Sequence, residues 1–334
     1  MRLLVIGGTR FIGRHLAELA LGGGHDVTVF HRGQTADGHG SVLPGAEHRL
    51  GDRNSDLSAL ANGTWDATID MCAYVPRHVH ELADVLNGRG GRYTFVSSVS
   101  AYASPVPVGF REAEAPLARL DDETVEEVTD TTYGGLKVLG ERAAVERFGS
   151  STLIVRPTYV VGPFDLSWRF PRWVMRLAAG GVVLAPGPSD DPTQVIDARD
   201  LAAWMLSMNE RGDFGVFHAV GPQPAMTWGE LLACIASVVA PEGTSLRWVG
   251  RDFLLAQGVT DADLPLWPGA EPDTAMLTAD PTAAIAAGLR LRPLVDTIVD
   301  TLQWAATHPE IGAGRPWLSE ERERALLAGT RAKA

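Results

Sequence analysis

Arg2–Ile6 is a short apolar run that breaks at Gly7-Gly8, and Phe11, Ile12, His15, Leu16, Leu19 and Ala20 then recur at helical spacing. Asp26–Phe30 follows as an alternating second strand. A strand, a glycine turn, a helix and a second strand within about 30 residues form a β-α-β unit. A crossover of that kind joins parallel strands, so this opening commits the chain to a sheet with helices packed on its faces.

The rhythm continues. Strands are expected near His48–Leu50, Ala67–Met71, Tyr93–Ser97 and Thr152–Val155, with helical segments at Val79–Leu86 and Tyr133–Arg147. The fold class is therefore α/β, a Rossmann-type doubly wound parallel sheet, and its sites belong beyond the carboxyl ends of the strands. After about residue 160 the texture changes: eight of the nine tryptophans lie between Trp168 and Trp317, amid dense Pro and Gly turns. This predicts a dinucleotide-binding domain over 1–160 with a return segment at about 193–220. Residues 161–192 and 221–330 are expected to form a smaller C-terminal substrate lobe, and the arginine-rich tail from Glu320 reads as a solvated helix end.

Composition excludes several classes. At 334 residues and 45% hydrophobic the chain can bury a full core, and its net charge of −12 opposes phosphate backbones and anionic membranes as partners. Cys72 and Cys234 match no disulfide or zinc spacing, and the nine histidines show no ligand spacing with carboxylates, so no metal site is read. The N-terminal apolar stretch is too short for a signal-peptide core and no run reaches the ~20 residues of a membrane span, so a soluble, cytoplasmic protein is expected.

The turn Gly7-Gly-Thr-Arg-Phe-Ile-Gly13 sits where backbone N–H groups meet a pyrophosphate at a helix N-terminus. Gly7, Thr9, Arg10, Phe11, Ile12 and Gly13 are the expected cofactor contacts. Strand two ends Phe30-His31-Arg32-Gly33, without the acidic residue that would accept the ribose hydroxyls of NAD. Arg10 and Arg32 near one ribose favour a 2′-phosphate, so NADP(H) is the expected cofactor and NAD(H) the alternative. Asp52, followed by Arg53, either accepts from the adenine amino group or serves a turn.

Only two of the 29 basic residues are lysines, and Lys137 stands four after a tyrosine in Tyr133-Gly-Gly-Leu-Lys137. Four residues along a helix is one face, so the ammonium can sit beside the phenol and favour its ionised form.

Together with Gly51-Asp52, Ser97-Ser98-Val-Ser-Ala-Tyr102, Arg156-Pro-Thr-Tyr-Val-Val-Gly-Pro163 and Val195-Ile-Asp-Ala-Arg-Asp200, these motifs resemble the extended short-chain dehydrogenase/reductases over residues 1 to 220. That superfamily includes the nucleotide-sugar epimerases and dehydratases. The resemblance implies Tyr133 as catalytic acid/base, Lys137 as its pKa tuner and ribose ligand, and Ser98 as anchor of the reacting oxygen. Ser97 and Pro157 join the cofactor contacts. A homodimer through the helix bearing Tyr133 is the association that the resemblance leaves open.

Departures narrow the function. The Asp-Glu pair of the 4,6-dehydratases is replaced by Val99 and Ser100, and the Asn of the Arg-Pro-x-Asn segment by Tyr159. The first argues against the dehydratase elimination, the second against a nucleotide sugar as substrate. The Gly-Gly-Thr-Arg turn resembles that of an atypical branch that includes poorly characterised bacterial reductases and chloroplast stem-loop-binding proteins; the charge of −12 and the Tyr133/Lys137 pair argue against a nucleic-acid role.

Substrate contacts are expected from Tyr74, Ser100, Tyr159, Arg169 and Gln194, with Asp165, His218 and Trp267 as further candidates. Arg169 and Arg172 among Trp168, Phe170 and Trp173 either clamp an anionic or aromatic substrate or stack as a structural cluster. The expected activity is an NADP(H)-preferring oxidoreductase interconverting a carbonyl and a secondary alcohol on a small polar metabolite, a sugar or natural-product intermediate. A sugar epimerase with retained cofactor is the alternative, and a cofactor-binding regulatory or RNA-binding protein the third reading.

Overall fold

A computed structural model describes residues 1–34, 42–269 and 274–331. The first half alternates as expected: β1 (Arg2–Ile6), α1 (Phe11–Gly22), β2 (Asp26–His31), β3 (Glu47–Leu50), β4 (Ala67–Asp70), α2 (Pro76–Leu86), β5 (Arg92–Val96), α3 (Tyr133–Phe148) and β6 (Thr152–Pro157). The second half opens with β7 (Tyr159–Val161), α4 (Arg169–Ala178), β8 (Val182–Pro186), β9 (Pro192–Thr193), β10 (Val195–Asp197), α5 (Ala198–Arg211) and β11 (Gly215–Ala219). It closes with β12 (Met226–Thr227), α6 (Trp228–Val239), β13 (Ser245–Val249), α7 (Arg251–Ala256), α8 (Thr282–Ala286), α9 (Leu294–Thr307), α10 (Pro309–Gly312) and α11 (Glu320–Arg331).

Seven parallel strands form the main sheet in the order β11-β6-β5-β4-β1-β2-β3. The order reverses at β1, whose Leu3–Ile6 pair with β2 on one side and β4 on the other. That reversal is a topological switch point, where the first crossovers leave toward opposite faces and open a crevice. The central strands are buried on both faces, so β1 reads as the continuous run Leu3, Leu4, Val5 and Ile6, each at most 1% exposed. Leu3 and Val5 pack toward α1 and α5, whereas Leu4 and Ile6 pack toward α2 and α3.

The second half has its own core, built on Trp173, Trp228 and Trp267 with Phe170 and Leu231. The arginine-rich tail departs from its expected solvated state. Within α11, Leu326 and Leu327 are buried, and the buried Glu323 accepts from Arg176 Nε at 2.7 Å and from Leu184 N–H at 2.7 Å. The charged run Glu320 to Arg324 hides this inward face in the sequence, because Glu323 turns to the core while Arg322, beside it, bonds Gln257 O at 2.8 Å on the surface.

Candidate active site

The glycine turn brings helix and strand together by backbone contact. Gly7 takes a φ of +83°, a left-handed conformation that suits glycine. A Cβ on Gly13 would lie 2.4 Å from Gly7 O, so only glycine fits there without displacing the turn. Arg10 enters α1 in extended backbone, and no side chain caps the helix. The first-turn N–H groups of α1 are thus left for an anionic partner. A cavity of about 480 Å³ lies over them, and Gly7, Thr9, Arg10, Phe11, Ile12, Gly13, Arg32, Asp52 and Arg53 all line it. The donor set and shape fit the adenosine diphosphate half of a dinucleotide.

At the end of β2, Arg32 and Arg10 are exposed, and Arg10 donates to Gln34 O at 3.2 Å. His31 occupies the acidic residue's usual place, buried against His48 at 2.9 Å and accepting from Gly33 N–H at 3.1 Å. Asp52 accepts from Asn54 N–H at 2.9 Å, which holds its carboxyl below the ordinary value. Arg53 lines the same cavity, but the fold also engages its side chain. Its guanidinium is buried and donates to both oxygens of Asp70, at 2.6 and 3.0 Å, and to His78 O at 3.1 Å. Burial pushes the Asp70 carboxyl up, but the charge and hydrogen bonds of Arg53 pull it below its usual value. A carboxylate this deep requires a counter-charge, which keeps Arg53 in the floor of the cavity.

Tyr133 opens α3, and Lys137 and Glu141 follow on the same face. Lys137 Nζ donates to Ala73 O and Val96 O, each at 2.9 Å, and lies 4.9 Å from the Tyr74 ring centroid and 5.7 Å from that of Tyr133. Burial lowers the Lys137 pKa to about 8. Lys137 is not among the groups that shift the Tyr133 phenol. Burial holds the Tyr133 phenol above its ordinary value and nearby Tyr74 adds to that, with hydrogen bonding by Ser98 and the charge of Arg169 opposing. The physical reason is that the ammonium is drawn into two backbone carbonyls while the phenol loses its water.

Ser98 forms the entry to a short turn, where its hydroxyl accepts from Ser100 N–H and donates to Ser100 Oγ, both at 3.1 Å. Gly134, which the sequence reading passed over, lets α3 meet this turn: a Cβ there would lie 2.1 Å from Ser100 O. Ser97, expected among the cofactor contacts, is buried, and its hydroxyl donates to Glu141 Oε1 at 2.5 Å. Pro157 is buried at the end of β6 beside Ala219. Glu141 was also missed, although its place eight residues after Tyr133 on one helix face was a usable signal.

The substrate candidates divide. Tyr74 is 43% exposed at the cavity rim, Ser100 is exposed, and the Arg169 guanidinium lies 5.5 Å over the Tyr159 ring. In four others the fold engages side-chain polar atoms, although the buried Gln194 Oε1 has no hydrogen-bond partner among the described residues. Gln194 is fully buried and donates to Ala279 O at 2.9 Å; His218 contacts the Tyr102 hydroxyl at 2.6 Å; Trp267 donates to Gly187 O at 3.2 Å from the second core; and Asp165 is buried and accepts from Ser167. Arg172 turns to Leu318 O at 3.0 Å, which separates it from Arg169.

A parallel sheet whose switch-point crevice is floored by a glycine turn, with a Tyr-x-x-x-Lys helix beside it, defines the Rossmann-type α/β proteins of the extended short-chain dehydrogenase/reductase kind. The chain belongs to the NAD dependent epimerase/dehydratase family, whose sequence pattern matches residues 3–219. It is 24% identical over 271 residues to the chloroplast stem-loop binding protein of 41 kDa b of Arabidopsis thaliana, covering 75% of this chain and 67% of that protein. The fold is shared with the UDP-glucose 4-epimerase of Thermotoga maritima, with a TM-score of 0.69 and 17% identity over 92% of this chain and 100% of that one. The UDP-glucuronic acid 4-epimerase of Bacillus cereus, solved with NAD, gives a TM-score of 0.68 at 15% identity, over 92% of this chain and 99% of that one. No helix among the described residues is long and apolar enough to cross a membrane.

Proposed function

We propose that this protein is an NADP(H)-preferring oxidoreductase that interconverts a carbonyl and a secondary alcohol on a small polar molecule. The observation that carries the cofactor preference is the end of β2, where the exposed Arg10 and Arg32 border the cavity and buried His31 replaces a carboxylate. Two guanidinium groups match a 2′-phosphate through paired donors, whereas an acidic residue there would repel it.

The bound nicotinamide would supply or take up the hydride. Tyr133 would move the proton at its Oη, giving it to a carbonyl oxygen or removing it from a carbinol. Ser98 Oγ, which lies in the turn after β5 and bonds Ser100, would hold that same oxygen. Lys137 would supply a fixed positive charge beneath Tyr74 and Tyr133, anchored by Ala73 O and Val96 O.

Stem-loop binding, in the relative's name, fits this chain poorly because a net charge of −12 repels a phosphate backbone. The test is a titration of purified protein with NADPH and NADH, together with a carbonyl-substrate screen on wild type and Tyr133→Phe. Tighter NADPH binding, and turnover abolished in Tyr133→Phe with cofactor binding intact, is the expected result. Retained turnover would overturn the role of Tyr133. Co-purifying cofactor with no net redox change would instead identify an epimerase.

A further inference from the structure

We infer that the substrate carries a carboxylate and that Arg169 binds it, an assignment that rests on the active site proposed above and names the substrate class of that site. Arg169 is the first residue of α4, an N-terminal position where the helix dipole opposes a cation, and the first turn holds no acidic residue. The two later arginines of α4 have structural partners. Arg172 donates to Leu318 O, and Arg176 bonds Glu323 at 2.7 Å together with Gly180 O and Val182 O. Arg169 has no ion pair among the described residues, and its terminal nitrogens donate to none of them.

Its orientation is nevertheless defined. Arg169 Nε donates to Ser167 Oγ at 3.2 Å, and Ser167 Oγ donates in turn to the buried Asp165 at 2.5 Å. The Tyr159 ring lies beneath the guanidinium, 5.5 Å from centroid to Cζ. With Nε engaged and one face covered by an aromatic ring, the outer edge with its two terminal nitrogens is free to form parallel hydrogen bonds. That edge matches the two oxygens of a carboxylate. The guanidinium charge also acts on the Tyr133 phenol, opposing the effect of burial there.

A monoanion fits better than a phosphate dianion. Lys137 is held by Ala73 O and Val96 O, and Arg172 is turned toward Leu318. Arg169 therefore offers one charge and one fork, set in a protein whose net charge is −12.

The test uses NADP⁺-loaded protein and isothermal titration with a panel of small alkyl and aryl carboxylates, each paired with its neutral amide. At least one acid should bind about tenfold or more tightly than its amide, the scale of a charge-assisted hydrogen bond. Arg169→Gln and Arg169→Met should lose that preference while binding NADPH like wild type. If no acid is preferred, or if the preference survives both substitutions, the assignment is overturned. Tyr133→Phe separates the two readings: it should keep the acid preference while losing turnover, so failure of the catalytic role leaves a different signature from failure of the anion site.

Discussion

The Ser97 hydroxyl donates to Glu141 Oε1 at 2.5 Å, tying the end of β5 to the helix that carries Tyr133 and Lys137. The same carboxylate accepts from Arg156 Nε at 2.9 Å and Nη2 at 2.6 Å, and Arg156 Nη1 continues to the Tyr102 hydroxyl at 2.5 Å. Both ion-pair partners are buried, at 4% and 6% exposure. The tie fixes α3 against β5 and β6 two turns beyond Tyr133.

Glu141→Gln should therefore destabilise the fold by about 3–5 kcal/mol, since it leaves a buried guanidinium without its counter-charge. Urea unfolding of the single variant and of Glu141→Gln/Arg156→Met measures this, and the second substitution should recover part of the loss. A single-variant effect below about 1 kcal/mol would show that the pair is not what holds α3.

Arg32→Ala should weaken NADPH binding by about tenfold or more and leave NADH nearly unchanged, because the lost contact is to the 2′-phosphate alone. The effect on NADPH should shrink as salt is raised, since Arg32 is exposed and screened. Equal losses for both cofactors would place Arg32 elsewhere on the dinucleotide.

The buried Lys137 gives a pH signature. Its folded pKa of about 8 lies below the ordinary lysine value, so between these two pKa values the unfolded chain binds a proton that the folded chain does not. Stability must then rise with pH through that window, measured relative to Lys137→Met, in which this titration is absent. The gain should be on the order of 1–3 kcal/mol between about pH 7.5 and 10 in paired denaturant curves. A difference that falls with pH would mean that the ammonium is stabilised by its two carbonyl partners more than burial costs it.

Gly134→Ala should cut turnover at least about tenfold with a stability loss of about 1–3 kcal/mol, the usual range for overpacking. The added methyl would meet Ser100 O at 2.1 Å, so α3 must move away from the serine turn. Measured kcat with a working carbonyl substrate and the melting temperature check this together; unchanged kcat would show that the approach of α3 to Ser100 is not needed for proton transfer.

Much of the fold was legible in the chain itself. The apolar run of β1, the glycines of the first turn and the spacing of Tyr133 from Lys137 are local patterns, and strand and helix periodicity reports them directly. The cavity lining followed for the same reason, because Gly7 to Gly13 are contiguous and Arg32 and Asp52 follow the ends of β2 and β3, which lie side by side next to β1 in the sheet. Arg53 and Gln194 were less legible. Whether a polar side chain faces a cleft or satisfies a buried group depends on partners distant in sequence, here Asp70 for Arg53 and Ala279 for Gln194.

What the sequence determined on its own is the class of fold, the glycine turn and the helix face shared by Tyr133 and Lys137, all set by residues close together along the chain. Tertiary structure alone decided which arginines remain available to a ligand. Arg53, Arg156 and Arg176 are drawn to buried carboxylates, while Arg169 has Ser167 and Tyr159 to orient it and no direct ion pair among the described residues. The reason is electrostatic: a charge removed from water takes the nearest counter-charge that folding brings within reach, and only the folded arrangement defines which one that is.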